Sequence, residues 1–253
     1  MDEENALQIE FDFEAVFDVD DYLYFYGEIL TDELSDRQVS FLTRELGLTS
    51  PLRILDLACG FGRHANRLAV LGHQVTGIDL MPGFLEIARE DAARRGVSVT
   101  YAQGDVRKID FEEAFDLVLL LFTAFGYFDD SQNLRVLENV WRALKPGGRL
   151  VFDLNNRDVL VKKMLPFIVY DKDGDLMIDR ITFDSSTGRM KNNRIVIRDG
   201  RRKDLPYMVR LYNPTEIRAL LEQAGFSHAR LYGNWDGEPL TSDSGRMIIV
   251  AEK

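Results

Sequence analysis

Short apolar runs alternate with amphipathic segments at a regular interval between residues 51 and 155, and this alternation restricts the fold more than any other feature. The apolar runs predicted to be buried strands are residues 52–58, 74–79, 97–102, 115–121 and 149–154. The segments predicted to be helices are residues 35–48, 63–71, 82–95 and 131–144. Strands and helices that alternate in this way form right-handed crossovers and build a parallel sheet covered by helices on both faces.

The rhythm changes between Pro166 and Tyr212, where short alternating runs are broken by the turn sequences DKDGD, SSTG and DGRRKD. Such runs predict antiparallel strands. The helical period returns at residues 214–223, and two apolar runs near residues 229–232 and 246–252 predict a final hairpin. The chain of 253 residues therefore fits one α/β domain with an inserted antiparallel β unit.

Composition excludes several classes of protein. A single Cys cannot form an internal disulfide, which indicates a reducing compartment and a cytoplasmic location. The acidic start MDEENALQIEFDFE lacks the basic and apolar regions of a signal peptide, and no apolar run approaches the ~18–20 residues that span a bilayer. A net charge of −11 argues against a nucleic-acid partner, which needs clustered Lys and Arg, and favours a small or cationic one.

The turn between the first strand and the first helix of the alternating region carries the most chemical information. It reads LDLACGFGRHA, and Ala58, Gly60 and Gly62 are its small positions after Asp56. Small residues let the backbone contact a ligand at the carboxyl end of the sheet, and the next helix offers free N–H groups to an anion. A carboxylate at Asp56 would repel a pyrophosphate but attract an ammonium group.

Two further acidic residues follow the next predicted strands. Asp79 ends the second strand, 19 residues after Gly60, where a carboxylate can accept hydrogen bonds from both hydroxyls of a ribose. The alternative for Asp79 is an ordinary cap for the helix after Met81. Asp105 follows the third strand and can accept from an adenine amine while the Val106 N–H donates to a ring nitrogen; the alternative is a simple turn.

The order of these motifs resembles that of the class I S-adenosylmethionine-dependent methyltransferases. The segments that carry the resemblance are LDLACGFG, VTGIDL, QGDVRK, FDLVLLLF and LKPGGRLVFDL. They lie within residues 35–155, and the helix and two strands that end at Glu252 are also similar. The resemblance implies a Rossmann-like seven-stranded sheet with an antiparallel last strand, S-adenosylmethionine as cofactor and S-adenosylhomocysteine as product.

The resemblance also implies which residues contact the cofactor. These are Asp56, Ala58, Gly60 and Gly62 around the methionine part, Asp79 at the ribose, Leu80, Asp105 and Val106 at the adenine, and Leu121 or Phe122 at the methionine end. Ala58 departs from the family, which often has Gly there. Because a methyl group is small, we expect cofactor binding to survive this change.

Within this class, the segment LFTAFGYFDD (121–130), the Tyr-rich N-terminus and the β-rich insertion are similar to small-molecule methyltransferases such as the amino-sugar N,N-dimethyltransferases. The implied activity is N- or O-methylation of a small-molecule acceptor. The resemblance implies that the N-terminal DYLYFYGEIL folds over the cofactor and that Tyr22, Tyr24 or Tyr26 reaches it. Of the three, we predict Tyr26 as the residue that contacts the cofactor. Plain core packing is the alternative for these rings.

Four units follow from this interpretation. They are a cofactor-covering segment (1–34), the cofactor-binding core (35–160), the β insertion as a substrate lid or dimer contact (161–212), and a C-terminal helix and strands that complete the sheet (213–253). The exposed strands of the insertion could pair between subunits, so a homodimer is one expectation. We expect no membrane partner.

Three residues are candidates for catalysis. A sulfonium methyl is already activated, so the enzyme chiefly aligns an acceptor lone pair and excludes water, and a general base helps only some acceptors. The candidates are Tyr127 after the fourth strand, His64 at the start of a helix, and Asp236 before the last strand. The alternatives are a pocket wall, a structural histidine and a turn-forming Asp. His64, His73 and His228 lack metal-ligand spacing, so we expect no metal.

Three other functions remain as alternatives. A NAD-dependent dehydrogenase predicts G-x-G-x-x-G, whereas positions 58 and 65 are Ala. A nucleic-acid or protein methyltransferase would share the cofactor half, but a nucleic-acid enzyme predicts a basic face or an Asn/Asp-Pro-Pro-Tyr/Phe motif, and the chain reads LFTAFGYF there. A non-catalytic S-adenosylmethionine-binding protein would keep the glycine turn without a working acceptor pocket.

Overall fold

The structure is a computed structural model and describes residues 11–253. The first ten residues of the predicted N-terminal segment, and with them most of the stretch on which the absence of a signal peptide was argued, lie outside the described residues. Within the described part, no helix is long and apolar enough to cross a membrane.

Helices and strands follow one another much as the periodicity predicts. The helices are α1 (Phe13–Val16), α2 (Val19–Tyr26), α3 (Asp32–Leu46), α4 (Ala65–Val70), α5 (Pro82–Arg94), α6 (Asp130–Ala143), α7 (Arg157–Lys163) and α8 (Pro214–Gln223). The strands are β1 (Arg53–Leu57), β2 (Gln74–Asp79), β3 (Thr100–Gln103), β4 (Phe115–Leu120), β5 (Leu144–Asn155), β6 (Phe167–Lys172), β7 (Asp175–Asp184), β8 (Arg189–Arg198), β9 (Arg201–Arg210), β10 (His228–Tyr232) and β11 (Arg246–Glu252).

Seven of these strands form one sheet in the order β10-β11-β5-β4-β1-β2-β3. β1 pairs in parallel with β2 and β4, and β11 is antiparallel to both of its neighbours, β5 and β10. The predicted fold class is therefore confirmed. Because the parallel strands share one direction, the residues that follow β1, β2, β3 and β4 meet at the same edge of the sheet.

Several boundaries differ from the predictions, and two of the differences have a clear local reason. α3 begins at Asp32, before the predicted start at residue 35, because the Thr31 Oγ1 accepts a hydrogen bond from the Leu34 N–H at 3.2 Å. The Ser35 hydroxyl instead donates to the Thr31 carbonyl at 3.0 Å from inside the first turn. β5 begins at Leu144 and includes the Lys-Pro-Gly-Gly segment, so the chain passes directly from α6 into an extended strand.

The insertion is a four-stranded antiparallel sheet in the order β6-β7-β8-β9, as predicted. One of its faces buries apolar side chains against α1 and α2; Met177, Val196 and Leu205 lie in one cluster with Val16 and Phe25. The N-terminal helices are thus covered on one side by the insertion. On their other side they reach the carboxyl edge of the central sheet, which positions them over the site described next.

Candidate active site

A pocket opens at the carboxyl edge of the central sheet, where the segments after β1, β2, β3 and β4 converge. Its lining residues are Phe13, Phe17, Tyr22, Asp56, Ala58, Cys59, Gly60, Phe61, Arg63, His64, Asp79, Leu80, Met81, Phe84, Gly104, Asp105, Val106, Arg107, Leu121, Phe122, Thr123, Ala124, Tyr127 and Phe128. The lining combines aromatic rings with charged side chains. The pocket therefore suits a ligand that has both apolar and polar parts.

The glycine turn after β1 contributes its backbone to this pocket. Ala58, Gly60 and Gly62 adopt positive φ angles of 50°, 53° and 76°. Ala58 and Gly60 line the pocket, but Gly62 does not. A Cβ at Gly62 would lie 2.3 Å from the Tyr101 hydroxyl oxygen, so this glycine is required for packing between α4 and β3 rather than for space at a ligand. The structure thus does not support a direct cofactor contact for Gly62.

Asp79 holds the turn in shape from the end of β2. Its Oδ2 accepts from the Gly60 N–H at 2.7 Å and its Oδ1 accepts from the Met81 N–H at 2.9 Å. Burial raises the pKa of the carboxyl, and the backbone donors oppose that rise. A carboxylate has about four lone-pair sites, so both oxygens keep a further site for a donor in the pocket.

Asp56 and Arg63 bring opposite charges to the inner end of the pocket. Both are buried, with 1% and 7% of their surface exposed. Asp56 Oδ2 and Arg63 Nη2 are buried atoms that have no hydrogen-bond partner within residues 11–253. Burial raises the pKa of Asp56 to about 7 against the pull of the Arg63 charge, and burial lowers that of Arg63 to about 10. Unsatisfied buried charges are costly, and a ligand with its own charges would satisfy them.

His64 lines the pocket, but its proton is already engaged. Gln38 Oε1 accepts from Arg63 Nη1 at 2.5 Å and lies 2.8 Å from His64 Nε2. Since that oxygen can only accept, His64 carries its proton on Nε2. Burial, with the Arg63 and Arg67 charges, lowers the pKa of His64 well below its usual range. A neutral histidine of such low basicity is a weak general base.

Tyr127 lies in an aromatic wall that α1 and the residues around it complete. Its ring stacks on Phe11 with centroids 5.7 Å apart and meets Phe17 edge-on at 5.7 Å. On the described part of the chain the Tyr127 hydroxyl makes no hydrogen bond. Burial raises its pKa well above the usual range, so the phenol stays protonated.

Tyr22 continues the wall from α2. Its ring meets Phe84 of α5 edge-on at 5.2 Å, so it bridges the N-terminal helices and the core. Of the three tyrosines considered for this segment, Tyr22 lines the pocket and Tyr24 and Tyr26 do not. The Tyr26 hydroxyl accepts from Arg194 Nη2 at 2.7 Å inside the insertion, which turns that ring away from the cofactor side.

Asp236 is not brought to the pocket. Its carboxylate pairs with Arg37, and Arg44 Nη2 donates to its backbone carbonyl at 2.8 Å, on the outer side of α3. The Arg37 hydrogen bond lowers the pKa of this exposed carboxyl. The loop before β11 folds toward these two arginines, and Asp236 does not line the pocket, so its contact with an acceptor stays a prediction that this geometry does not favour.

Asp105 and Val106 line the far end of the pocket, with Leu80 nearby. Arg107 donates hydrogen bonds to the Asp105 carboxylate from Nε at 3.0 Å and from Nη2 at 2.6 Å. The same guanidinium lies 4.3 Å from the centroid of Phe128. The adenine end predicted at Asp105 is therefore joined to the aromatic wall through one arginine side chain, a contact that the sequence motif did not indicate.

Several lining residues were missed from the sequence. Arg63 is part of the motif GFGRHA, but the motif did not indicate a functional role for it. That role depends on burial beside Asp56, which a local pattern does not show. Phe13 and Phe17 carry no local signal beyond aromatic composition. Cys59 is buried and also lines the pocket. No group of three or more His, Cys, Asp or Glu in the described chain could hold a metal ion.

Comparison with known proteins gives this site a context. Residues 54–148 match the model of the methyltransferase domain family. A protein named as a methyltransferase in Bacillus subtilis (strain 168) is 26% identical over 90% of this chain and 94% of its own length. The demethylmenaquinone methyltransferase of Thermus thermophilus is 40% identical over 105 residues, which are 40% of this chain and 46% of that protein.

Solved structures share the fold. The CcbJ methyltransferase from Streptomyces caelestis superposes with a TM-score of 0.75 at 21% identity and covers 91% of this chain and 95% of its own. The sugar N-methyltransferase KedS8 from a Streptoalloteichus species superposes with a TM-score of 0.67 at 21% identity, over 91% of each chain. Residues 54–148 therefore match a methyltransferase domain, and the resemblance to S-adenosylmethionine-dependent methyltransferases is confirmed.

Proposed function

We propose that this S-adenosylmethionine-dependent methyltransferase methylates the nitrogen of a small amine. The observation that carries the proposal is the pocket itself, which joins buried polar groups at the sheet edge to a wall of aromatic rings. A small-molecule acceptor is also supported by the relatives, which include methyltransferases named for menaquinone and ubiquinone biosynthesis and for sugars. The net charge of −11 makes a nucleic acid an unfavourable partner.

The polar side of the pocket fits the cofactor on chemical grounds. The unpartnered atoms of Asp56 and Arg63 match the ammonium and the carboxylate of its methionine part, and the free lone pairs of Asp79 match ribose hydroxyls. Asp105 and Val106 would face the adenine edge, while Leu80, Leu121 and Phe122 supply apolar contact. When bound, the cofactor supplies a methyl group that is activated by its positive sulfur.

The aromatic side fits an amine. Rings of Tyr22, Tyr127, Phe13 and Phe17 would stabilise the positive charge that develops on the nitrogen during transfer, and they exclude water. The Tyr127 hydroxyl has no partner within residues 11–253 and can accept a hydrogen bond from an N–H group, which would orient the lone pair. Held in this way, the nitrogen would receive the methyl group that the cofactor would supply from its sulfur, and the methylated ammonium would lose its proton to solvent on release.

An amine is favoured over a hydroxyl because residues 11–253 bring no effective base to the acceptor side of the pocket. His64 is neutral and weakly basic, and the raised pKa of Tyr127 keeps its phenol protonated. Asp56 lies at the end proposed for the cofactor ammonium. An amine that arrives uncharged already presents a nucleophilic lone pair, whereas an alcohol requires proton removal as it attacks.

A methylation assay on the purified protein tests the proposal. S-adenosylmethionine and a panel of small amines, alcohols, phenols and quinols would be incubated with the protein, and products identified by mass spectrometry and NMR. We expect N-methylated products and a rate that rises with pH as the amine loses its proton. Methylation confined to oxygen or carbon contradicts the amine, and cofactor binding with no turnover on any acceptor favours a non-catalytic binding protein.

We further propose that the chain divides at residues 34, 160 and 212, that the protein is cytoplasmic, and that strands of the insertion pair between subunits. Within one subunit, α1 and α2 share a buried cluster with the insertion.

A further inference from the structure

The loop after β4 contains two consecutive residues in the left-handed region, and both line the pocket. Phe122 has φ +67° and Thr123 has φ +60°. This region is unfavourable for residues other than glycine, and a β-branched side chain such as that of Thr makes it a clear outlier. Strained residues persist only where their surroundings over-determine them, and they cluster at functional sites.

Asp153 fixes the backbone of this turn. It lies near the end of β5, where its side chain is completely buried. Its Oδ1 accepts a hydrogen bond from the Phe122 N–H at 2.6 Å, and its Oδ2 pairs with the Arg246 guanidinium of β11. A buried carboxylate needs such partners, because an unpaired charge in the interior is strongly unfavourable.

Arg246 fixes the side chain of the second residue. Its Nη1 donates to Thr123 Oγ1 at 3.2 Å as well as pairing with Asp153. Burial, with repulsion from Arg63, lowers the pKa of Arg246 to about 10. The centroid of the Phe122 ring lies 5.1 Å from the Arg63 Cζ and 6.0 Å from the Arg246 Cζ, so the ring is near both arginines. One ion pair therefore holds the Phe122 backbone and the Thr123 hydroxyl.

We propose that Asp153 and Arg246 are positioning residues that hold the left-handed Phe122–Thr123 turn in the shape that binds the cofactor. The inference rests on the proposed function, since it concerns the same pocket. Neither residue lines that pocket, and neither was singled out by a motif. They act through the turn, which carries Phe122 against Arg63 and so sets the wall at the end proposed for the methionine part.

Calorimetry with S-adenosylhomocysteine tests this role without any knowledge of the acceptor. In Asp153→Asn the Phe122 N–H keeps an acceptor, but Arg246 loses its counter-charge, so we expect the affinity to fall at least tenfold. Adding Thr123→Gly should restore most of the loss, because glycine adopts a positive φ without strain. A purely structural role for Asp153 would not be rescued by relief of one backbone angle.

Asp116→Asn is the matched control. Asp116 accepts from one backbone N–H, that of Arg53, at 2.8 Å and pairs with one cation, Lys145, at 2.6 Å, but it lies at the opposite end of β4. We expect this variant to change the unfolding midpoint without changing cofactor affinity. Should Asp153→Asn fail to fold, Arg246→Lys keeps the charge, but its shorter side chain cannot place a donor where Nη1 contacts both Asp153 and Thr123, so its affinity should fall severalfold.

The possible results separate the two proposals. A wild-type protein that binds no cofactor contradicts the proposed function. Wild-type binding with unchanged affinity in Asp153→Asn, or in Arg246→Lys where that variant is used, overturns the positioning role alone. A loss in Asp153→Asn that Thr123→Gly does not restore also overturns it, since the turn would then not be what the ion pair controls.

Discussion

At the scale of single residues, the inner end of the pocket is set by two buried charges that each keep an atom without a partner. Asp56 and Arg63 attract one another, yet Asp56 Oδ2 and Arg63 Nη2 remain unsatisfied within residues 11–253. Leaving such groups unmatched weakens the fold unless a ligand compensates. The two residues thus lower the stability of the empty protein, and they favour binding of a ligand that carries both charges.

The raised pKa of Asp56 predicts how cofactor affinity depends on pH. The carboxyl is mostly protonated below its pKa of about 7 and cannot offset an ammonium group there. We expect the affinity for S-adenosylhomocysteine to rise up to about tenfold per pH unit between about pH 5.5 and 7 and then to level off. Calorimetry across this range measures it.

Asp56→Asn is the control for that pH dependence, because the amide does not titrate. Above about pH 7, the affinity of Asp56→Asn for S-adenosylhomocysteine should be lower than that of the wild type. Below about pH 7, the affinity of this variant should stay nearly constant. A wild-type affinity that does not change over this range would show that Asp56 does not meet a charged group of the cofactor.

The same raised pKa of Asp56 means that the free energy of unfolding of the empty wild-type protein falls as the pH rises from about 4 to 7.

At the scale of elements, the loop after β4 is clamped by the end of the insertion. The Arg210 N–H donates to the Gly126 carbonyl at 2.7 Å, and the Leu211 N–H donates to the Gly188 carbonyl at 2.9 Å. Gly126 has φ +104°, and a Cβ there would lie 2.5 Å from the Arg210 carbonyl oxygen. β9 and the loop that carries Tyr127 therefore meet backbone to backbone.

Gly126→Ala should break this clamp. The added methyl group clashes with backbone and also meets an unfavourable φ, so we expect a loss of about 2 kcal/mol or more in the free energy of unfolding. Gly200→Ala is matched, because Gly200 has φ +69° but open space around it, and should cost only about 1 kcal/mol. Equal losses in urea denaturation would show that the close approach to Arg210 is not tight.

A buried ion pair inside the insertion is linked to α2 by a hydrogen bond. Arg194 Nε donates to Asp179 Oδ1 at 2.7 Å, and the same guanidinium reaches the Tyr26 hydroxyl of α2. Both charged side chains are 7% exposed. α2 also carries Tyr22, which lines the pocket. The Arg194–Tyr26 hydrogen bond therefore helps to hold α2, and with it Tyr22, in place.

Asp179→Asn should therefore destabilise the protein strongly. It leaves the Arg194 charge buried without a counter-ion, a change that costs about 3–5 kcal/mol in comparable cases. Asp204→Asn removes one partner of the exposed Arg202 pair in the same sheet and should leave the unfolding midpoint unchanged within error. Similar midpoints for both variants would contradict the importance of the buried pair.

At the scale of the whole molecule, the pocket is built from three parts of the chain. The central sheet supplies the acidic residues, the loop after β4 supplies Phe122 and Tyr127, and the N-terminal helices supply Phe13, Phe17 and Tyr22. A ligand that touches all three should couple them. Ligand binding to the native state alone stabilises it by mass action.

We expect S-adenosylhomocysteine at about 100 times its Kd to raise the free energy of unfolding by about 2.7 kcal/mol. Hydrogen exchange should slow at residues 19–26 and 121–128 together, although these segments lie far apart in sequence. In Asp79→Ala, which loses the proposed ribose acceptor, the same ligand concentration should have little effect. Slower exchange confined to residues 56–79 would show that the N-terminal helices do not contact the ligand.

The sequence by itself determined most of the central fold. The strands β2 and β11 and the helix α8 begin and end where the periodicity predicted, because alternation of apolar and polar residues reports local burial directly. The glycine turn and the acidic residues at the strand ends were also readable. Their positions follow from one rule, that parallel strands bring their carboxyl ends to one edge.

Tertiary structure alone decided which side chains meet. Gly62 packs closely against Tyr101. Tyr26 is hydrogen-bonded to Arg194, and Asp236 pairs with Arg37. None of Gly62, Tyr26 and Asp236 lines the pocket. Arg63 and Asp153 acquire their roles from partners distant in the sequence. A local pattern specifies how a segment folds and which face it buries, whereas partners between segments depend on how the finished elements pack together.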